Sequence, residues 1–243
     1  MLGLGIDSTM MYGFSGMDLK QATSSVAPQR LSLWLKNNTG VTAAKWTDSS
    51  GYNNHATQSV EGNQAAVSGG GLDFTPGSSN HYDLTSTITI GKEAGFCIAV
   101  VIDQETISNN TILSKDTDDQ IQIKTNGRFS FRANVDTDTT TNFDVDGTPF
   151  DGNKMLLLLN RSATGEKFTM FKNGTQLTFN TDTSSNEAEG ENPMGFDINV
   201  LGSRAGGSQY FDGKILELAF WKGALTAQEI VDVNYYLKNV HGL

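Results

Sequence analysis

The chain has 243 residues, of which 37% are hydrophobic and 18% charged, and it carries a formal net charge of -10 at pH 7. This length suits one large β domain, and the negative balance disfavours general binding to the phosphate backbones of nucleic acids. The single cysteine, Cys97, excludes an internal disulfide framework and a C-x-x-C metal site.

The first 29 residues differ in character from the rest of the chain. They lack the basic and continuous apolar regions of a signal peptide, so we expect synthesis in a cytoplasm. No run in the chain approaches the ~18 apolar residues of a membrane span, and we expect no membrane insertion. Pro28 favours an extended approach to the domain, and a terminus rich in Gly, Ser and Met is not expected to be ordered alone. We therefore predict an extended N-terminal arm at residues 1–29, which anchors to a partner, and one domain at residues 30–243.

Short strand-like runs separated by turn clusters follow the arm. Residues 31–35 alternate with a period of two, whereas residues 96–102 and 154–160 are continuous apolar runs typical of buried strands. Cys97 lies in the first of these buried runs, where a cysteine behaves as a small hydrophobe. Asn126-Gly127 and Asn173-Gly174 each separate two alternating runs, and each predicts a β-hairpin.

Only the end of the chain predicts a helix. Thr226 and Glu229 form a capping box, after which Ile230, Val233, Tyr236 and Leu237 lie on one stripe. Many short strands with regular turns and one helix favour an all-β fold. We predict a two-sheet antiparallel jelly roll with one short C-terminal helix and an extended N-terminal arm.

Several segments of the predicted domain resemble concanavalin A-like, laminin G-like domains. The segments that carry the resemblance are Leu33-Trp34-Leu35, Trp46-Thr47-Asp48-Ser49-Ser50-Gly51-Tyr52-Asn53-Asn54-His55-Ala56, Phe171-Lys172-Asn173-Gly174, residues 211–218, residues 224–230 and Tyr236-Leu237. They span about residues 31–243. The resemblance implies a concanavalin A-like sandwich of the kind found in lectins and glucanases.

The start of the chain carries a narrower resemblance. The chain starts with Met-Leu-Gly-Leu-Gly and continues with the predicted domain. This arrangement is similar to that of virion-associated proteins of tailed phages that infect marine cyanobacteria. This resemblance implies a structural, capsid-decoration or tail protein with a lectin-like domain. We expect the protein to be made in the host cytoplasm and to be located in the virion. There it is expected to form part of a multi-copy assembly, in which its arm contacts other virion proteins.

Catalysis finds little support in the sequence. A retaining glycosidase needs two carboxyl groups about 5–5.5 Å apart, and the E-x-D-x-x-E spacing that glucanases of this fold use is absent. Glu217 stands alone on its strand, and we interpret it as a structural residue that fixes a loop or the last helix. His55, His81 and His241 accompany no G-x-S-x-G motif and are interpreted as surface or turn residues. We therefore predict that the protein is not an enzyme.

Calcium is the candidate cofactor, although none is certain. Asn142, Asp144 and Asp146 place oxygen ligands at alternate positions before Gly147, like the start of an EF-hand loop. The glutamate that should follow is missing, because Asn153 occupies its position. The alternative is a set of solvated turns.

Sugar binding requires an aromatic platform beside amides and carboxylates. Asp48, Tyr52, Asn53 and Asn54 supply these groups in one loop and are the candidate carbohydrate-binding residues. In the alternative interpretation, Asp48 and the asparagines hydrogen-bond their own turn backbone.

The leading hypothesis from the sequence is a non-catalytic phage virion protein. Its arm anchors it to capsid or tail, and its jelly roll contacts host-surface glycans. The alternatives are a free carbohydrate-binding lectin module and a glycoside hydrolase with an unrecognised acid pair.

Overall fold

The structure is a computed structural model that describes Leu19 and residues 30–91, 94–106, 108, 110–117, 119–125, 129–133, 141–144, 152–162, 168–178, 195–205 and 207–243, with backbone alone at 141–144. The predicted arm at residues 1–29 therefore lies outside the described residues, except for Leu19. The Asn126-Gly127 turn lies outside them too, although its flanking strands are described.

The described strands form two antiparallel sheets, which confirms the predicted all-β sandwich. In spatial order, sheet A consists of β14 (Thr175–Gln176), β13 (Phe168–Lys172), β12 (Met155–Arg161), β7 (Phe96–Gln104), β16 (Gly213–Lys222), β5 (Gly71–Phe74) and β4 (Ala66–Ser68), and β1 (Leu31–Leu35) also pairs with β16. Sheet B consists of β11 (Thr141–Asp144), β10 (Phe129–Ala133), β9 (Gln120–Ile123), β8 (Asn110–Ser114), β15 (Phe196–Leu201), β6 (Tyr82–Ile90), β3 (Ala56–Thr57) and β2 (Lys45–Trp46). Helix α1 (Ala227–His241) follows β16, and no helix among the described residues is long and apolar enough to cross a membrane.

A large apolar core fills the space between the sheets. Phe96 of sheet A lies near its centre, with ring centroids 5.8 Å from Phe131 and 5.7 Å from Phe196 of sheet B. Trp46 belongs to the same cluster. Because aromatic side chains bury large apolar areas and prefer such ring contacts, this group stabilises the pairing of the two sheets.

A second apolar core lies on the other side of sheet A. Cys97 of β7 and Leu156 of β12 face Ile230, Val233 and Leu237 of α1 there, and Trp34, Trp221 and Leu19 are among the other members of the cluster. This explains why β7 and β12 are apolar on both faces, since a strand buried on both sides cannot alternate with polar residues. Burial raises the pKa of the Cys97 thiol well above its usual value, Glu229 adds to the rise and Arg30 opposes it.

The turns and caps predicted from the sequence are confirmed where they are described. Asn173 and Gly174 have φ values of 50° and 84°, as a two-residue hairpin between β13 and β14 requires. The Thr226 side chain accepts a hydrogen bond from the Glu229 amide at 3.3 Å, and the Glu229 carboxylate accepts from the Thr226 amide at 2.8 Å. Glu229 also pairs with Arg30 at 2.8 Å, which ties the helix start to the residue before β1.

The carboxylate of Glu217 ties the other end of α1 to sheet A. It is buried, with Oε1 accepting from Trp34 Nε1 at 2.7 Å and Oε2 lying 2.9 Å from His241 Nε2. The structural interpretation of Glu217 is therefore confirmed. The interpretation of His241 as a surface or turn residue is wrong, because the last turn of α1 packs on the sheet and buries the imidazole.

We expect Glu217→Leu to lower the free energy of unfolding by about 3 kcal/mol, because it leaves two buried polar partners without an acceptor. Chemical denaturation measures the change. Glu61→Leu, at an exposed 3-10 turn, is the control and should change stability by less than about 0.5 kcal/mol. Equal stabilities for the two variants would show that Glu217 does not hold the helix.

Candidate functional site

The face of sheet B that points away from the core carries a patch of polar side chains. Ile121 and Phe131 lie in the core, so their neighbours Gln120, Gln122 and Arg132 point to the opposite face, because side chains alternate along a strand. Strand register places Ser114, Gln120 and Arg132 in one row across β8, β9 and β10, and Thr111, Gln122 and Ser130 in the next. We call this set the polar face: Thr111, Ser114, Gln120, Gln122, Ser130 and Arg132.

The polar face is recessed beside a loop that follows β15. Ser114 Oγ donates to the Ser203 carbonyl at 2.7 Å and accepts from the Ala205 amide at 3.2 Å, while the Thr111 amide donates to the Gln209 carbonyl at 3.0 Å. Gly202 begins this loop with φ 83°, and a Cβ there would approach the Phe74 ring to 2.2 Å, so only glycine fits. At the centre of the face, Thr111 is 0% and Gln120 2% exposed.

Several oxygen atoms of this region have no hydrogen-bond partner in the described structure. They are Thr111 Oγ1, Gln120 Oε1 and Gln122 Oε1 on the polar face, and Asp197 Oδ1, Asn199 Oδ1 and Gln209 Oε1 beside it. A buried polar atom without a partner costs about 1–3 kcal/mol, and such atoms are rare in native proteins. Amide and hydroxyl groups both donate and accept, so the region can bind a ligand rich in hydroxyl groups.

Charged groups border the polar face at one end of β9. Lys115 Nζ contacts Asp197 Oδ2 at 2.7 Å, and this hydrogen bond raises the pKa of Lys115. The Asp197 amide donates to Asp119 Oδ2 at 3.2 Å, and the Asp119 amide donates to Asp116 Oδ1 at 2.9 Å. These carboxylates bind a lysine and their own turns. Within the described side chains, no three acidic, histidine or cysteine residues are arranged to hold a metal ion.

The structure places the sequence-predicted sugar residues in one turn beyond β2, at the edge of sheet B opposite β11. The Asp48 carboxylate accepts from the amides of Trp34 (2.8 Å), Ser50 (2.8 Å) and Asn54 (3.0 Å) and from Ser50 Oγ (2.7 Å). These contacts show the turn-stabilising role that was the alternative interpretation of Asp48.

The other residues of this turn are arranged differently. The Asn54 side chain donates to the Ser32 carbonyl at 2.8 Å, and Asn53 adopts φ 61°. Tyr52 is 51% exposed, so it is the member best placed to contact a ligand. Sugar binding at Asp48, Tyr52, Asn53 and Asn54 stays a prediction.

The predicted calcium residues lie at the other edge of sheet B. The backbone of Asn142 pairs with Arg132, and that of Asp144 with Ser130, in strand β11. Asp146 lies outside the described residues. Calcium binding there stays a prediction.

The polar face itself was not identified from the sequence. The alternation of Gln120 and Gln122 with Ile121 and Ile123 was visible, and it placed the glutamines opposite the core. No local pattern shows which polar side chains become buried, because burial depends on the loop at residues 202–210.

A family model described as the concanavalin A-like lectin/glucanases superfamily matches residues 76–231, well over half of the chain. The chain belongs to this superfamily. The matched segment of this lectin-like fold includes most of sheet B and the whole polar face. No curated protein sequence matches the chain.

Solved structures share the lectin-like fold at low sequence identity. A Trypanosoma rangeli sialidase in complex with the inhibitor DANA matches with TM-score 0.55 and 13% identity, over 84% of this chain and 32% of the sialidase chain. The binding domain of botulinum neurotoxin serotype D matches with TM-score 0.52 and 15% identity, over 90% of this chain and 53% of that chain. The chain thus spans about a third to a half of the length of these proteins, and at such identities the likeness shows the fold alone.

We expect Asp48→Ala to lower the free energy of unfolding by about 3 kcal/mol, because four donors lose their charged acceptor. Thermal and chemical denaturation test this. Asp232→Ala, which removes a helix carboxylate bonded to Gln228 on the surface, should change stability by less than about 0.5 kcal/mol. If both variants are as stable as the wild type, the carboxylate of Asp48 is free for a role in binding.

Proposed function

We propose that the protein is a non-catalytic glycan-binding module whose binding site is the polar face of sheet B. The observation that carries the proposal is the cluster of buried oxygen atoms without partners, at Thr111, Gln120 and Gln122 and at the adjacent Asn199 and Gln209. Each such atom lowers the stability of the free protein. A ligand that donates hydrogen bonds to them would recover that free energy on binding.

The chemistry of the cluster favours a carbohydrate over other ligands. The oxygens of Thr111, Gln120 and Gln122 are acceptors, so their ligand must present donors, and sugar hydroxyls donate and accept at short spacings. Within each row of the face, side chains on neighbouring strands are about 4.8 Å apart, a distance comparable with the size of one sugar ring. The superfamily description names lectins and glucanases, two classes that bind carbohydrate.

The arrangement of charges supports binding rather than hydrolysis. The Asp197 carboxylate beside the polar face is held by Lys115 at 2.7 Å, and those of Asp119 and Asp116 accept hydrogen bonds from neighbouring backbone amides. A glycosidase needs one carboxyl group to protonate the leaving oxygen and a second to act as nucleophile or base, and carboxylates held in this way are poorly placed for either role.

The double variant Gln120→Leu, Gln122→Leu should reduce glycan affinity at least about tenfold, since each lost hydrogen bond is worth roughly 1 kcal/mol. A glycan array of neutral and acidic oligosaccharides identifies the strongest ligand, and calorimetric titration of that ligand measures the affinity. Gln176→Leu, on exposed edge strand β14 of sheet A, is the matched control and should bind as the wild type does. Unchanged binding by the double variant would contradict the proposal.

The same double variant should have a stability close to that of the wild type. Leucine removes the unpartnered oxygens but also removes the hydrogen bond from Gln120 Nε2 to the Thr117 carbonyl at 3.0 Å, so the two effects oppose each other and the free energy of unfolding should change by less than about 1 kcal/mol. Denaturation midpoints measure this. A loss of more than about 2 kcal/mol would show that the glutamines are structural.

We further propose that the module is carried on a phage virion, with the N-terminal segment at residues 1–29 on the anchoring side. Two observations support this setting: the resemblance of the Met-Leu-Gly-Leu-Gly start to phage virion proteins, and the burial of Leu19 in the second core beneath α1. Leu19 lies on the outer side of sheet A, so an anchor there leaves the polar face of sheet B pointing away from the particle. Mass spectrometry of purified particles should detect the protein. Its absence from them, together with glycan binding by the free chain, would favour a free lectin instead.

A further inference from the structure

A groove lies between helix α1 and the β13–β14 hairpin, on the outer side of sheet A. It has a volume of about 450 Å³, and Phe171 of β13 lines it together with Val231 and Tyr235 of α1. Phe171 packs against the second core, whereas Val231 is 59% and Tyr235 47% exposed. The volume and the mainly apolar, partly aromatic lining are typical of sites that bind small molecules.

The wall that α1 contributes also contains a buried amide whose oxygen has no partner. Asn234 lines the groove and is 6% exposed. Its Nδ2 donates to the Ile230 carbonyl at 2.8 Å, whereas its Oδ1 accepts no hydrogen bond in the described structure. Such an oxygen lowers the stability of the free protein, and it is met in native proteins by a ligand or a bound water. A ligand with a hydroxyl or N–H donor can supply the missing hydrogen bond.

The β13–β14 turn leaves this oxygen open to the groove. Gly174 lies across from it with φ 84°, and a Cβ at this position would be 3.8 Å from Asn234 Oδ1. Because glycine has no side chain, the turn does not cover the amide oxygen at this position. The same residue therefore allows the tight turn and keeps space beside Asn234.

Lys238 adds a positive charge to the same face of α1. It lies four residues after Asn234, so the Cβ atoms of the two residues are about 6 Å apart. Its Nζ donates to the Asn173 carbonyl at 3.1 Å, and no carboxylate side chain of the described residues pairs with it. Asp232 does not line the groove and accepts from Gln228 instead. Since an ammonium has three donors, Lys238 can also bind an acidic group, and it repels a cation.

The small extent of the exposed apolar surface favours a small molecule over a protein partner. Among the described residues that line the groove, the exposed large hydrophobic side chains are Val231 and Tyr235. Two side chains fall far short of the roughly 800 Å² that each partner buries in a stable protein interface. The rings of Phe171 and Tyr235 favour an aromatic ligand, because aromatic rings attract each other in edge and offset contacts.

We propose that this groove binds a small aromatic acid that also carries a hydroxyl or N–H donor, such as a phenolic carboxylate. The ring of the ligand lies against Phe171, Val231 and Tyr235. Its donor bonds Asn234 Oδ1, and its carboxylate lies at Lys238 Nζ. The site is on sheet A, so it is separate from the glycan site on sheet B and does not depend on the proposed function.

Titration of para-hydroxyphenylacetate into the full-length chain tests this site. Nuclear magnetic resonance follows the methyl signals of Val231, which should shift in one saturable binding event. Phenylacetate lacks the hydroxyl, and tyramine carries an ammonium in place of the carboxylate. Each of these two compounds should bind at least about fivefold more weakly than para-hydroxyphenylacetate.

Two variants test the polar contacts separately. Asn234→Leu should weaken para-hydroxyphenylacetate about fivefold and leave the affinity for phenylacetate unchanged, because it removes the acceptor of the ligand hydroxyl. Lys238→Met should weaken both acids at least about fivefold. Lys222→Met is the matched control, since Lys222 is exposed and does not line the groove, and its affinities should stay within about twofold of the wild type.

The absence of a saturable shift at Val231 up to about 10 mM ligand would overturn the proposal, because a bound water would then account for the Asn234 oxygen. Equal affinities for the three compounds would also overturn it, since binding would then reflect apolar contact alone. Circular dichroism confirms that the variants are folded. If Asn234→Leu does not fold, the ligand series and Lys238→Met decide the matter.

Discussion

The position of helix α1 on sheet A is the constraint on which the remaining structure depends, and the Glu217 carboxylate maintains it. The carboxylate joins Trp34 of β1 to His241 in the last turn of the helix, while Arg30 and Glu229 hold the first turn. Sheet A is thereby covered on both faces. A buried carboxylate is costly unless its partners are in place, so the helix and the sheet must pack together. In the proposed function, glycan binding therefore takes place on sheet B.

The proposed binding site on sheet B implies that some stability of the free protein is given up for binding. Strands β9 and β10 contribute isoleucine and phenylalanine to the core, but their other face carries amides and hydroxyls that the described chain does not fully satisfy. Native proteins retain few such costs, and the exceptions are expected at functional or strained sites or where a water is bound. The Asp48 turn shows the opposite arrangement, since its carboxylate accepts four hydrogen bonds from its own neighbourhood. Its role is therefore accounted for without a ligand.

The parts of the fold that the sequence predicted are those that local chemistry determines. Asn173-Gly174 required a tight hairpin, Thr226 and Glu229 required a helix start, and the apolar run at residues 96–102 required a strand buried on both sides. His241 was misinterpreted because its partner, Glu217, is 24 residues away, and no local pattern connects them. The polar face was missed for a similar reason, since the alternation around Gln120 shows two faces but not which atoms lack partners. The superfamily was identified from its motifs, whereas the predicted arm, apart from Leu19, and the predicted calcium ligand Asp146 fall outside the described residues.

Nuclear magnetic resonance of the glutamine side-chain amides tests the central claim most directly. The strongest ligand from a glycan array is titrated into the isotopically labelled full-length chain, and the side-chain amide signals are followed to saturation. We expect the signals of Gln120 and Gln122 to shift as one saturable binding event, while the signal of Gln176 on sheet A stays in place. Shifts confined to the Asp48–Asn54 turn or to α1, with Gln120 and Gln122 unchanged at saturation, would contradict the account.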